Sequence, residues 1–154
     1  MKGIPNEAEP DRCEKRNFIE SSFAKIKTDA FFDVQMQYPL LGLEYAETGC
    51  YVRKEVYEKL LKAAGMLPEG FRFRIWDAWR PFLLQKELYR EYSENIIREF
   101  ELESCTEEHK RAVIRRFVSE PAKDREMPPV HTTGGAVDLT IIDRKGVELE
   151  MGSS

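Results

Sequence analysis

The residues best suited to chemistry lie in one ten-residue stretch, His131-Thr132-Thr133-Gly134-Gly135-Ala136-Val137-Asp138-Leu139-Thr140. An imidazole and a carboxylate stand seven positions apart, with a glycine pair between them. Glycine reaches backbone conformations closed to other residues, so the pair can fold the chain until both side chains converge. Asp138 lies between Val137 and Leu139, in an apolar run that reads as a strand. A buried, unpartnered carboxylate there would be costly, and either a metal ion or a hydrogen-bond network would resolve the cost. Zinc accepts both ligand types at about 2.0–2.2 Å. From the residues alone two readings stay open: a metal pair, or a loop histidine beside an aspartate capped by backbone N–H groups.

The elements that must position this pair follow from periodicity. Residues 1–17 are polar, contain Pro5 and Pro10, and read as a flexible arm. Residues 18–154 read as one domain. Phe31 to Leu43 suits an irregular segment laid over a core. Val56, Leu60, Leu61 and Ala64 recur at helical spacing between Arg53 and Met66, and Gly65 and Pro68 stop that helix. Phe71 to Trp76 alternates apolar and basic residues, which predicts a half-buried strand. Pro81 opens the next helix, whose stripe is Leu84, Leu88, Tyr92 and Ile96 with Leu83 and Phe100 in support. Thr106 is an N-cap, with Glu107 and Glu108 in the first turn of a further helix carrying Ala112, Val113, Ile114 and Phe117. A proline-rich loop covers Pro121 to Pro129. Strands are expected at Ala136–Ile142 and Val147–Met151, joined by a turn at Asp143–Gly146. The fold class is α+β, with a small antiparallel sheet flanked by helices.

Composition narrows the function classes. The chain has 154 residues, 42% hydrophobic and 34% charged, as expected of one globular domain. A net charge of -4 gives no support to nucleic-acid binding, and the cluster Arg111, Arg115 and Arg116 reads as a solvated helix face. No apolar run approaches membrane-spanning length, so no membrane partner is expected. Cys13, Cys50 and Cys105 are scattered and odd in number, which argues against a thiolate metal site and against a disulfide framework. With no apolar leader, the chain reads as cytoplasmic.

Three motifs in order carry a resemblance. The pattern His-x-x-Gly-x-Ala-x-Asp at 131–138 resembles the metal motif of the zinc D-Ala-D-Ala metallopeptidases, a group related to lysostaphin-type endopeptidases and the hedgehog N-terminal domain. Trp76-Asp77-Ala78-Trp79-Arg80-Pro81 is similar to the strand-end motif of the D-alanyl-D-alanine dipeptidases, including those of vancomycin resistance. Leu149-Glu150-Met151-Gly152 resembles their Leu-Asp-Met-Gly. The likeness spans roughly residues 35 to 154. It implies a metallopeptidase-like fold in which His131 and Asp138 are two of three protein ligands to one Zn2+. Arg80 would be a catalytic residue, holding the scissile carbonyl oxygen as charge develops on it; read without the resemblance, it is a surface ion pair. Trp76 and Trp79 read as core and pocket wall, and Asp77 as fixing the turn geometry. The implied reaction is zinc-assisted hydrolysis of the small dipeptide D-Ala-D-Ala, with a glutamate moving the proton from water to the leaving amine. The implied settings are cell-wall peptide metabolism and glycopeptide resistance.

The chain departs from the family after Asp138. The family's later Glu-x-x-His, source of its base and third ligand, is absent, so the domain reads as lacking the family's C-terminal segment. The remaining histidine, His109, reads as part of a solvated helix face. Glu148 and Glu150 do not match the base, and Pro129 stands where many relatives place a serine. The competing expectation is therefore a homologue that holds metal or peptide without turnover. An edge at Val147–Met151 would favour self-association.

Overall fold

The computed structural model describes residues 22–118, 120–121 and 128–152. The expected arm, Cys13 and most of the proline-rich loop lie outside them. The chain runs β1 (Phe23–Ile26), β2 (Phe32–Val34), α1 (Gln37–Leu40), β3 (Cys50–Arg53), α2 (Lys54–Ala64), β4 (Arg72–Asp77), α3 (Phe82–Glu99), α4 (Glu107–Ile114) and β5 (Asp138–Ile142). The α+β class is as expected. No helix among the described residues is long and apolar enough to cross a membrane.

The sheet arrangement corrects the expectation of one antiparallel sheet. β1 and β3 form an antiparallel pair of their own. A second sheet has the order β2-β4-β5, and it is mixed: β2 runs parallel to β4, while β5 runs antiparallel to it. β2 lies within the segment expected to be irregular. Its three residues are too few to display a period of two.

β4 is central because both of its faces and both of its edges are used. Phe73 and Ile75 point into a core with Ile26, Phe32, Val52, Cys50 and Ala64. Arg74, on the opposite face, pairs with Asp33 at 2.8 Å and Glu148 at 3.2 Å. α2 covers the core with Val56, Tyr57, Leu60 and Leu61, the face its spacing predicts. In α3, Leu84, Leu88 and Ile96 are buried, whereas Tyr92 is 48% exposed. Thr106 caps α4 by accepting from the His109 N–H at 3.3 Å. Phe100 and Phe117 stack with ring centroids 5.2 Å apart, yet both stay largely exposed.

The second strand of the expected C-terminal hairpin does not form. The turn is present: Asp143 Oδ1 accepts from the Lys145 and Val147 N–H groups, and Gly146 takes φ +80°. Beyond it the chain makes one isolated bridge, Ile142 to Glu148, and one bond from Leu149 N–H to Ile141 O at 2.9 Å. It then leaves the edge, with Met151 60% exposed.

Candidate metal centre

The site forms where β4 ends beside the start of β5, and an irregularity in the ladder builds it. Ile75 pairs with Leu139, but Asp77 rather than Trp76 pairs with Asp138. This bulge adds one residue on β4, and bulges commonly re-aim side chains next to functional sites. Its result is two carboxylates directly opposite one another, an arrangement that is unfavourable unless positive charge lies between them.

Two groups supply that charge. Arg80 is 8% exposed. Its Nε and Nη2 both donate to Asp77 Oδ2, at 3.0 and 2.6 Å. Its Nη1 donates to Gln85 Oε1 at 2.7 Å, and Nη2 also reaches the Tyr38 hydroxyl at 3.3 Å. The guanidinium carbon stands 5.0 Å from the Tyr38 ring centre. Nη2 is 3.7 Å from Asp138 Oδ2, so Arg80 lies between the two acids and is not a surface ion pair.

His131 is the second. Its Nδ1 lies 3.0 Å from Ala78 O and 3.4 Å from Asp77 Oδ2. A proton on Nδ1 satisfies that carbonyl and leaves Nε2 with a free lone pair. Nε2 faces Asp138 Oδ1 at 3.5 Å. Two ligands held about 2.0–2.1 Å from one tetrahedral ion stand about 3.3–3.4 Å apart, so the pair is close enough to share a metal ion. The two groups stabilise each other's charged forms. The Asp138 carboxylate raises His131 above its ordinary value, against burial, and His131 holds Asp138 below the usual carboxylate range.

Asp77 completes the only group of three side chains among the described residues that could hold a metal ion, its oxygen within 4.8 Å of the other two candidate ligand atoms. It is 3% exposed, His131 is partly buried, and the Asp138 side chain is 50% exposed. Burial raises Asp77 despite the pull of Arg80. Its Oδ2 is engaged twice by Arg80 and lies on the Nδ1 side of the imidazole. It therefore positions Arg80 and His131. Sequence reasoning assigned Asp77 only a turn role. The signal that would have found it is the bulge, a property of pairing between distant segments.

The loop carrying His131 is docked by four consecutive carbonyls. His131 O accepts from Arg80 N–H at 3.2 Å, Thr132 O from Trp79 Nε1 at 3.0 Å, Thr133 O from Arg53 Nε at 2.6 Å, and Gly134 O from Arg53 N–H at 3.0 Å. Gly134 has φ +72°, and a Cβ there would collide with the Phe23 ring. Phe23 in turn packs edge-on against Trp79, centroids 5.9 Å apart. Trp79 thus braces the His131 loop from behind, and Trp76 is the tryptophan that lines the cavity.

A cavity of about 460 Å³ opens beside the pair, lined by Gln37, Tyr38, Trp76, Val137 and Leu139 and by the two carboxylates. His109 is exposed on α4 and stands outside the cluster. Glu148 is bound to Arg74, and Glu150 accepts from the Gly152 N–H at 3.2 Å. Comparison with protein-family models, with curated proteins and with solved structures found no match for this chain.

Proposed function

We propose that this protein is a zinc-dependent dipeptidase of the D-alanyl-D-alanine dipeptidase type, with a metallopeptidase-like fold, acting on D-Ala-D-Ala in the cytoplasm. One observation carries the proposal: His131 Nε2 and Asp138 Oδ1 stand 3.5 Å apart, beside a buried arginine and a cavity large enough for a small peptide. The three sequence motifs support the same reading.

In this reading His131 and Asp138 hold the ion. When bound, zinc supplies Lewis acidity, polarising the scissile carbonyl and acidifying water. The chain's own residues do the rest. Ala78 O fixes the imidazole tautomer through Nδ1. Asp77, Gln85 and Tyr38 hold Arg80 in one orientation, so its charge need not reorganise when the carbonyl oxygen becomes negative. Tyr38, Trp76 and Leu139 wall a confined pocket around the substrate.

A second reading is favoured by the ligand count. Among the described residues Asp77 is the sole third candidate, and Arg80 engages it. Catalytic zinc normally has three protein ligands. A homologue that binds metal or peptide without turnover fits that shortfall. Hydrolysis of D-Ala-D-Ala by the purified chain, with added zinc and a chelator control, separates the two. Chelator-sensitive turnover, lost in His131→Ala, supports the enzyme. Zinc or dipeptide binding without turnover supports the second reading, and a folded chain that binds neither refutes both.

A further inference from the structure

The Tyr38 hydroxyl carries a proton that the fold does not use. Tyr38 sits on α1, shortly after Gln35, whose N–H is bound to Ile75 O on β4 at 2.8 Å. That anchor and the buried Met36 hold the ring beside the end of β4. The Tyr38 oxygen accepts from Arg80 Nη2 at 3.3 Å, and the guanidinium carbon lies 5.0 Å from the ring centre. A tyrosine hydroxyl that accepts one bond can still donate one. Among the described residues no acceptor takes that proton. Tyr38 lines the same cavity as Asp138, so the unused donor belongs to a wall of the pocket read as holding substrate. Burial outweighs the pull of Arg80 and pushes the phenol up to about 12, which keeps the proton in place at neutral pH.

We propose that Tyr38 is a further catalytic residue, whose hydroxyl donates a second hydrogen bond, beside Arg80, to the scissile carbonyl oxygen as that oxygen becomes negative. The hydroxyl is bonded to Arg80 Nη2, the nitrogen that also stands 3.7 Å from Asp138 Oδ2. A substrate oxygen held by Arg80 therefore lies within reach of Tyr38 as well. Donation from the guanidinium polarises the O–H, and in such a chain each bond strengthens the next. The proton stays on Tyr38 throughout, so the step needs no further acceptor. A donor aimed at the developing charge favours the transition state over the bound dipeptide. This inference rests on the reading of His131 and Asp138 as the peptide-cleaving centre.

The test is calorimetric titration of the full, zinc-loaded chain and its Tyr38→Phe variant with two analogues of D-Ala-D-Ala. In one, a tetrahedral phosphinate replaces the scissile amide; in the other, CH2 replaces the scissile C=O, so no oxyanion can form. Tyr38→Phe should weaken the phosphinate about 10–100-fold and leave the reduced dipeptide within about twofold. Where the chain turns over, kcat should fall about 10²–10³-fold with KM little changed. Arg80 keeps its bonds to Asp77 and Gln85 in this variant, so the fold should persist. Replacing Tyr38 with 3-fluorotyrosine separates donation from mere support of Arg80, because fluorine makes the hydroxyl a stronger donor and a poorer acceptor. The fluorinated chain should bind the phosphinate at least as tightly as the unaltered one; weaker binding overturns the proposal. So do equal phosphinate affinities in Tyr38→Phe and the unaltered chain, parallel loss of both analogues, or failure of the unaltered chain to bind the phosphinate. A zinc titration keeps the two readings apart. Zinc binding lost in His131→Ala, with phosphinate affinity indifferent to Tyr38, removes the Tyr38 role alone. An unaltered chain that binds no zinc removes both.

Discussion

Replacing Asp77 with alanine tests whether this carboxylate belongs to the scaffold of the site. Its Oδ2 takes two bonds from a guanidinium that is 8% exposed. Removing one partner of a buried pair leaves an uncompensated charge and costs about 3–5 kcal/mol. Two features reduce that figure. Asp138 Oδ2 is 3.7 Å from Arg80 Nη2 and can take over part of the pairing, and the repulsion between Asp77 and Asp138 disappears. We expect about 3 kcal/mol, which for a chain of this length lowers Tm by about 6–12 °C. Urea unfolding followed by circular dichroism measures it. The double variant Asp77→Ala, Arg80→Met should recover part of the loss, because both charges leave together. Zinc affinity should fall only about 10–100-fold, as for a residue that orients a ligand. A stability loss below about 1 kcal/mol, the range of exposed ion pairs, would refute the buried clamp.

Four further outcomes follow from the same structure. Zinc must displace the proton of His131, whose pKa Asp138 raises above 6.5, so zinc affinity should increase about tenfold per pH unit and level off above 6.5; calorimetry across pH 5.5–8 with a plateau beginning below 6.5 would contradict this. Burial raises Asp33, but the hydrogen bonds from Arg74 and Gln35 and the charges of Arg74 and Arg72 together outweigh it and hold the group below 3.8. Its stabilisation is therefore present above the ordinary carboxylate range and disappears as pH falls through the depressed value, and Asp33→Asn should flatten that part of an acid-unfolding curve. Ile75→Ala, at a fully buried position on the central strand, should cost about 2–5 kcal/mol in chemical denaturation. Gly134→Ala must strain a positive φ and displace Phe23, so both stability and zinc affinity should drop, by denaturation and calorimetry respectively.

Local pattern was sufficient wherever an element is long and amphipathic. α2, α3 and the capped start of α4 were legible from apolar spacing, Gly65 and Thr106, and β4 from its alternation. The pair His131 and Asp138 was legible from residue type and the glycines between them, whereas Arg80 was named only through the resemblance of Trp76–Pro81 to a family motif and read by itself as a surface ion pair. What was not legible depends on contacts between distant segments. β2 has three residues and gains its strand character by pairing parallel to β4 about forty positions away. Asp77 enters the site through a bulge that no local period announces. The segment Val147–Met151 has the pattern of a strand, but only its start meets β5, and pattern alone does not say whether a neighbour is within reach.

The four carbonyl contacts of His131 to Gly134 bear on the energetics of any ligand the loop receives. Arg53 and Trp79–Arg80 come from separate parts of the chain, and each closes bonds to this loop as the domain folds. The conformational entropy of ordering the loop is thus lost at folding rather than at binding. An incoming ion or peptide meets an imidazole already aimed, and the heat of its binding would report the contacts it makes and little loop rearrangement.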